Sequence, residues 1–294
     1  STSDLKNTFR SIGPLWHPPG GRGLYGGCVI SQSLAAAQRT VDYGFACHSV
    51  QSSFLHLGSA ESPITYSVER LREGRSYVTR SVQAVQDGAC LYTAVLSFAT
   101  ELYKPGDQVS HALTSPLVEV PDCKSTRTME ERATAGLAPE LLPISLERAG
   151  IPPQDRVVRC WIRAPERLCQ ADNRTTHQAI LAYLSDWIAI SAVSYIYGQF
   201  RFPEAITISF SSSPLPGTNI GMLSTLNHAL YFHATPSIRA DEWMLLEASS
   251  PWAGDERCIA QGKMFSQDGI LLATYIQEGV YRLKQDASRL PSNL

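Results

Sequence analysis

Neither sign of charge dominates this chain: 25 lysines and arginines stand against 27 aspartates and glutamates, for a net charge of -2 and a pI near 6.4. No basic stripe therefore offers itself to nucleic acid or to an anionic membrane surface, and an anionic ligand must find a local positive patch. Paired cysteines are missing too. The seven cysteines, at 28, 47, 90, 123, 160, 169 and 258, are odd in number and form no C-x-x-C, which argues against a disulfide framework and for a reducing compartment. The first residues hold no basic stretch followed by an apolar one, so secretion is not expected, and Asn173-Arg174-Thr175 reads as a chance glycosylation sequon. No G-x-S-x-G occurs, which removes the usual nucleophile elbow. The histidines at 48, 56, 111, 177, 228 and 233 have no cysteine or carboxylate partners at ligand spacing, so no metal is expected. The G-x-G-x-x-G at 21–26 follows His-Pro-Pro-Gly rather than a strand, and no acidic residue closes a βαβ unit, so no nucleotide cofactor is expected either.

What is present is a repeat. The 294 residues, 44% hydrophobic and 18% charged, suit one large or two medium domains. VQAVQDGACLYTAVLSF around Gln86-Asp87-Gly88 and QGKMFSQDGILLATYIQEG around Gln267-Asp268-Gly269 both read as strand, Asp-Gly turn and strand, 181 residues apart. Upstream, HSVQSSFLHLGSAESPITYSVE is echoed by LNHALYFHATPSIRADEWMLLEAS at an offset near 178. Further upstream in each half lies a helix candidate almost without charge: residues 24–38 carry none, and residues 178–196 carry only Asp186. A helix apolar all round is normally buried. The first stretch is too short to span a membrane, and serines with a central aspartate make insertion of the second costly, so no span is expected. The fold class expected is α+β. Two buried helices are each wrapped by an antiparallel sheet, and the two sheets join into one because open edges want pairing. The division expected is 1–103, a linker over 104–155 with a short helix at 128–136, and 156–294.

The elements of this pattern are those of a double hotdog. Tyr25-Gly26-Gly27, HSVQSSFLHLG, ITYSVERLREGRSY, HQAILAYLSD, STLNHALYFH and QDGILLATYIQEGVYR are similar to stretches of the acyl-CoA thioesterase II family of bacteria and peroxisomes. The resemblance implies hydrolysis of a fatty or related acyl-CoA. It assigns the catalytic roles to Asp186 in YLSD, Thr225 in STLNH and Gln277 in IQEG. Two positions depart from the family's pattern: Cys28 stands for its glutamine after the glycine pair, and Asn227-His228-Ala229 for its Asp-His-Ser. A specialised biosynthetic relative using another acceptor would be compatible with such departures.

Those three residue types suit the chemistry. Thioester hydrolysis needs a positioned water, a base for its proton and donors for the oxyanion. Asp186, among Leu184, Trp187, Ile188 and Ile190, should have its pKa raised by burial. Gln277 and Thr225 each donate and accept, so with Asp186 they can hold a water. The repeat places apolar Leu96 opposite Gln277 and Ala35 near Asp186, which predicts one active site rather than two. Backbone N–H groups at Gly26 and Gly27 are the expected oxyanion donors, at the positive end of a helix. His48 is a candidate pocket residue, and Arg70, Arg72 and Arg75 are candidate contacts for the phosphates of coenzyme A, although a solvated charge run has the same appearance. An alternative on this fold is a hydratase or dehydratase of enoyl or hydroxyacyl thioesters, which would want a histidine beside Asp186; His177 lies about two and a half turns away. The chain is expected to form a homo-oligomer; Ser292-Asn293-Leu294 resembles a peroxisomal address, with Asn293 where a basic residue is expected, or is a frayed tail, for a peroxisomal or cytoplasmic protein.

Overall fold

The computed structural model describes residues 7–12, 15–17, 23–100, 106, 109–115, 119, 137–146, 149–165, 168–169, 173–200 and 219–284, with the side chains of 143–145 excepted. The helix expected at 128–136 and the tail at 292–294 lie outside these residues. The first half contributes β1 (Thr8–Arg10), α1 (Gly26–Gln38), β2 (Phe45–Phe54), β3 (Thr65–Glu73), β4 (Tyr77–Gln86) and β5 (Ala89–Thr100). After β6 (Glu140–Ser145) come β7 (Val157–Arg163), α2 (Arg174–Ser185), α3 (Ser191–Ile196), β8 (Ile220–Phe232), β9 (Met244–Gly254), β10 (Arg257–Phe265) and β11 (Leu271–Leu283).

The eleven strands of the described residues pair antiparallel in one sheet, ordered β1-β3-β4-β5-β2-β8-β11-β10-β9-β7-β6. The join is β2 against β8, where Ser49 pairs with Tyr231 and Ser53 with Asn227. Outward from that join, β2-β5-β4-β3-β1 is matched by β8-β11-β10-β9-β7, so each strand has a counterpart six further along the chain. The match extends to a defect. β2 steps over His48 between Cys47 and Ser49, and β8 steps over Leu226 between Thr225 and Asn227, each against the same point of its neighbour. This shared bulge makes Cys47 the counterpart of Thr225, Val50 of His228 and Leu96 of Gln277.

The two Asp-Gly turns are not alike. Asp87 and Gly88 have φ of 50° and 83°, the left-handed pair that a two-residue hairpin turn needs. The second is a longer loop, closed by the Ser266 N–H donating to Ile270 O at 2.9 Å, with Gly269 at φ 79°.

The helices lie side by side and antiparallel. Tyr25 Oη donates to Tyr183 O at 2.7 Å where α1 begins and α2 ends, while Gln38 Nε2 donates to Gln178 Oε1 at 3.2 Å where α1 ends and α2 begins. The second helix corrects the expected 178–196. It starts earlier, because Asn173 Oδ1 accepts from the Thr176 N–H at 2.9 Å and caps it, and it stops at Ser185 with Asp186 as C-cap. A turn over 186–190 then leads into α3. β6 falls inside the expected linker. Pro143 hid it from a strand reading, yet β6 is the sheet's outermost strand, where a residue without an N–H is tolerated. Among the described residues no helix is long and apolar enough to cross a membrane.

Candidate active site

The first turn of α1 approaches its neighbours more closely than any side chain would allow. A Cβ on Gly27 would collide with Tyr183 O and the ring of Tyr25, and one on Gly26 would lie 2.8 Å from Asp186 Oδ2 and 3.1 Å from Phe54. No side chain caps this helix from its own N-cap residue, Tyr25. The Gly27 N–H donates instead to the carboxylate of Asp186, a residue 159 positions downstream by number, at the positive end of the α1 dipole.

Rings brace this junction. Trp187 stacks on Trp16 at 5.3 Å and meets Tyr25 edge-on at 5.1 Å, and Tyr25 meets Tyr183 at 4.8 Å. Behind Asp186, Ile190 rests on Gly279, where a Cβ would strike it and lie 2.7 Å from Ser224 O. The bulge between Glu278 and Gly279 sits at the same place. The Glu-Gly pair after Gln277 thus has a packing reason: it admits the turn that carries Asp186 over β11.

Gln277 is fully buried and Asp186 9% exposed. Gln277 Nε2 donates to Asp186 Oδ1 at 2.7 Å and to Thr225 Oγ1 at 2.6 Å, using both of its hydrogens. Thr225 Oγ1 accepts, so its own proton is left to donate elsewhere, and Thr225 is the partly exposed member of the three. Burial pushes the Asp186 carboxyl up to about 7, against the Gln277 amide and the Gly27 N–H, which lower it. Nearby, burial holds the Cys28 thiol up at about 12 and the His228 imidazole down at about 4. The arrangement is a carboxylate poised to take a proton near neutral pH, with a hydroxyl beside it and a helix N-terminus at its back.

Residues 13–112 match the family model described as the acyl-CoA thioesterase N-terminal domain, and residues 114–281 match that of the C-terminal domain. Human acyl-coenzyme A thioesterase 8 is 30% identical over 90% of this chain and 82% of its own length. The chain belongs to the acyl-CoA thioesterase II family. It is a thioester hydrolase, and acyl-CoA hydrolysis is its reaction. The Mycobacterium marinum acyl-CoA thioesterase II TesB2 structure covers 97% of this chain and 95% of its own at 29% identity, with a TM-score of 0.70. The peroxisomal acyl-coenzyme A thioester hydrolase 1 of Saccharomyces cerevisiae is 24% identical over 92% of this chain and 89% of its own length. The fold is accordingly a double hotdog.

Within this thioesterase frame the other residues singled out by sequence separate clearly. His48 is the bulge residue of β2; its Nε2 lies 2.8 Å from Ser97 Oγ and its ring meets exposed Tyr77, on the outer face away from the helices. Arg70, Arg72 and Arg75 are exposed around the β3–β4 hairpin, with Arg70 paired to Glu73 at 3.4 Å. β3 is four strands from β8, on the order of 15–20 Å, so the structure does not bring these arginines to Asp186. His177 is also elsewhere: its Nδ1 accepts from the Ala240 N–H at 3.2 Å. The family departures are uneven. Cys28 lies in the first turn of α1 near Asp186, whereas Asn227 points outward to Glu278 Oε2 at 2.9 Å and Ala229 flanks it on the same face.

Sequence reasoning missed three buried polar residues. Arg80, 1% exposed, donates to Thr40 Oγ1 and Thr40 O at the end of α1; Gln178 donates to Cys47 O; Gln86 ties down Ser59 and Ser62. Alternation puts Arg80 and Gln86 on one face of β4 with Val78, Val82 and Ala84, and Gln178 lies in the apolar helix run, so the pattern carried a signal that their polarity masked. A groove of about 310 Å³ on the outer face, bordered by Arg159, Glu247, Lys263 and Tyr231, holds none of the three site residues.

Proposed function

We propose that Asp186, Thr225 and Gln277 hydrolyse fatty or related acyl-CoA by activating a water rather than by forming an acyl-enzyme. The observation that carries this reading is the position of Gln277, whose amide donates to Asp186 and to Thr225 at once. Because Gln277 stands between them, Asp186 is not set to deprotonate Thr225, and His228 faces Ser185 instead. A threonine without a base is a poor nucleophile. It is well placed to hold a water by donating its free proton to the water oxygen.

As that water attacks the thioester carbon, Asp186 takes its proton. The oxyanion faces the start of α1, where Gly27 is committed to Asp186 and the Gly26 N–H is the remaining donor. When the carbon–sulfur bond breaks, the proton on Asp186 goes to the departing thiolate, leaving free acid and coenzyme A. The hydratase alternative loses its support, since His177 is engaged at Ala240 and His228 Nε2 at Ser185.

Asp186→Asn is expected to lower kcat by roughly 10²-fold or more, measured as release of free coenzyme A, while Thr225→Ser stays active. Mass spectrometry of the quenched enzyme should find no acyl adduct on the peptide containing Thr225. Full turnover by Asp186→Asn, or a stoichiometric adduct, would overturn the mechanism. We also infer a homo-oligomer in a peroxisomal or cytoplasmic setting. Val95, Tyr231 and Ile276 are 44%, 39% and 48% exposed on the sheet's outer face, area that a second copy would cover. Light scattering should exceed the 32.2 kDa of one chain.

A further inference from the structure

Two buried polar atoms of the site have no partner, and they belong to neighbours. Gln277 Oε1 and His228 Nδ1 are each buried without a hydrogen bond among the described residues. Gln277 and His228 are directly opposite in the β8–β11 ladder, so their side chains leave the sheet on one face, and the Gln277 side chain is near enough to the ring to favour its proton. An unmet buried acceptor beside an unmet buried ring nitrogen is costly unless the nitrogen carries the proton.

The other ring nitrogen permits that tautomer. His228 Nε2 lies 3.0 Å from Ser185 Oγ, and a hydroxyl can donate to a bare nitrogen. Ser185 Oγ also lies 2.9 Å from Ala182 O, so its proton has two possible acceptors. Only when it turns to His228 are the ring, Gln277 Oε1 and the serine all used.

We propose that His228 is a positioning residue, whose Nδ1–H donates to Gln277 Oε1 and so turns both hydrogens of Gln277 Nε2 toward Asp186 and Thr225. This rests on the water-activating role given to Asp186 above. The chain runs Ser185 Oγ–H to His228 Nε2, His228 Nδ1–H to Gln277 Oε1, and Gln277 Nε2–H to Asp186 Oδ1 and Thr225 Oγ1. A glutamine amide is nearly symmetric in shape, and turned over it would aim its carbonyl oxygen at a carboxylate. His228 prevents that by offering a donor where only the oxygen fits.

The readout is the ionisation of Asp186, because the Gln277 N–H is what favours its charged form. The titratable groups facing Asp186 are Tyr25 at the N-cap of α1, Cys28 from α1, Tyr92 from β5 and Tyr275 from β11, with His228 of β8 next to Gln277. Burial raises the phenols and the thiol and lowers the imidazole, so all five stay neutral through the range in which Asp186 titrates.

Three variants of the full chain, His228→Ala, His228→Asn and Asp186→Asn, should be assayed for coenzyme A release across pH, with thermal unfolding alongside. Asparagine keeps an N–H near the Nδ1 position and alanine does not. His228→Ala is expected to lose about 10-fold or more in kcat and to move the acid limb of kcat/KM to higher pH, while His228→Asn restores the limb to its wild-type position. A residue needed only for packing would leave the limb where it is. Equal limbs in alanine, asparagine and wild type, with Asp186→Asn inactive, would sink the positioning role alone. Full activity in Asp186→Asn would instead sink the base on which it rests. Should the variants fail to fold, ¹⁵N NMR of histidine-labelled wild-type enzyme decides: the Nδ1–H tautomer at His228 supports the chain, and the Nε2–H tautomer overturns it.

Discussion

At one end of the helix pair a carboxylate reaches the bare N-terminus of α1; at the other, the N-terminus of α2 is closed by its own Asn173 and needs nothing from outside. The strands beneath follow suit. Thr225, His228 and Gln277 line the first end, and their counterparts Cys47, Val50 and Leu96 line the second. There Gln178 satisfies Cys47 O, and Arg80 satisfies the last turn of α1 at Thr40. The second end is finished: Cys47 O and Thr40 O are paired, and the strand side chains Cys47, Val50 and Leu96 are apolar. The first holds a carboxylate in a desolvated position, beside Gln277 Oε1 and His228 Nδ1, which have only each other for partners. The repeat offers two equivalent places, and the one between Thr225 and Gln277 is the one that holds a buried carboxylate.

The strongest way to break this comparison is to exchange its members. Gln277→Leu, which writes the residue of the first half into the second, should fold and lose roughly 10²- to 10³-fold in kcat, as a water-positioning group does. The reciprocal Leu96→Gln should create no activity in a chain already lacking Gln277. It should cost about 1–3 kcal/mol in thermal unfolding, because its amide is buried where Val50 and Cys47 offer no partner. Activity in the Gln277→Leu, Leu96→Gln double variant would mean that the finished end can be reopened by one residue.

A smaller effect separates the ends by pH. With the Asp186 carboxyl pushed up to about 7, kcat/KM should fall about tenfold per pH unit below 7 and be flat above it, since only the ionised form takes a proton. The stability consequence has the opposite sense to that of a salt-bridged aspartate. The folded state holds this proton more tightly than the unfolded chain, whose carboxyl titrates near 3.9. Stability from this group is therefore present below about 4, is lost as pH rises toward 7, and changes no further above. Scanning calorimetry of wild type against Asp186→Asn between pH 5 and 8 should show the steeper decline in wild type.

Much of this was legible beforehand, for reasons that can be named. The repeat was visible because Gln86-Asp87-Gly88 and Gln267-Asp268-Gly269 are local signals, and a hairpin turn depends on its own residues. The apolar helices were visible because burial on all sides removes charge. The break at Asp186 was not: no glycine or proline marks it, and Trp187 to Ile190 continue the apolar run. The helix ends there because the carboxylate is held by Gly27 and Gln277 and Ile190 is seated on Gly279, all contacts between distant parts of the chain. Asn173, by contrast, was a readable cap that marks the true start. The trio itself was placed by resemblance, and what the sequence alone supplied was the asymmetry of Gln277 against Leu96.

The smallest expected effect concerns the arginines, and it tests whether the first half contributes more than scaffold. Arg70, Arg72 and Arg75 belong to the half whose end of the helix pair is closed, around a hairpin four strands from Thr225. Arg70 is shared with Glu73, and an exposed pair of this kind contributes little, roughly 0–1 kcal/mol. Arg80, opposite Arg70 in the β3–β4 ladder, is committed to Thr40 and to Glu73 at 2.7 Å and is not available to a ligand. If coenzyme A approaches Asp186 from the second half, alanine at any of the three should change KM by less than about twofold at low salt, where a phosphate contact would be most visible. A tenfold rise in KM with kcat unchanged would show uniform binding lost. It would place the nucleotide end of the substrate along β3, and the first half would then be half of the binding site as well as of the sheet.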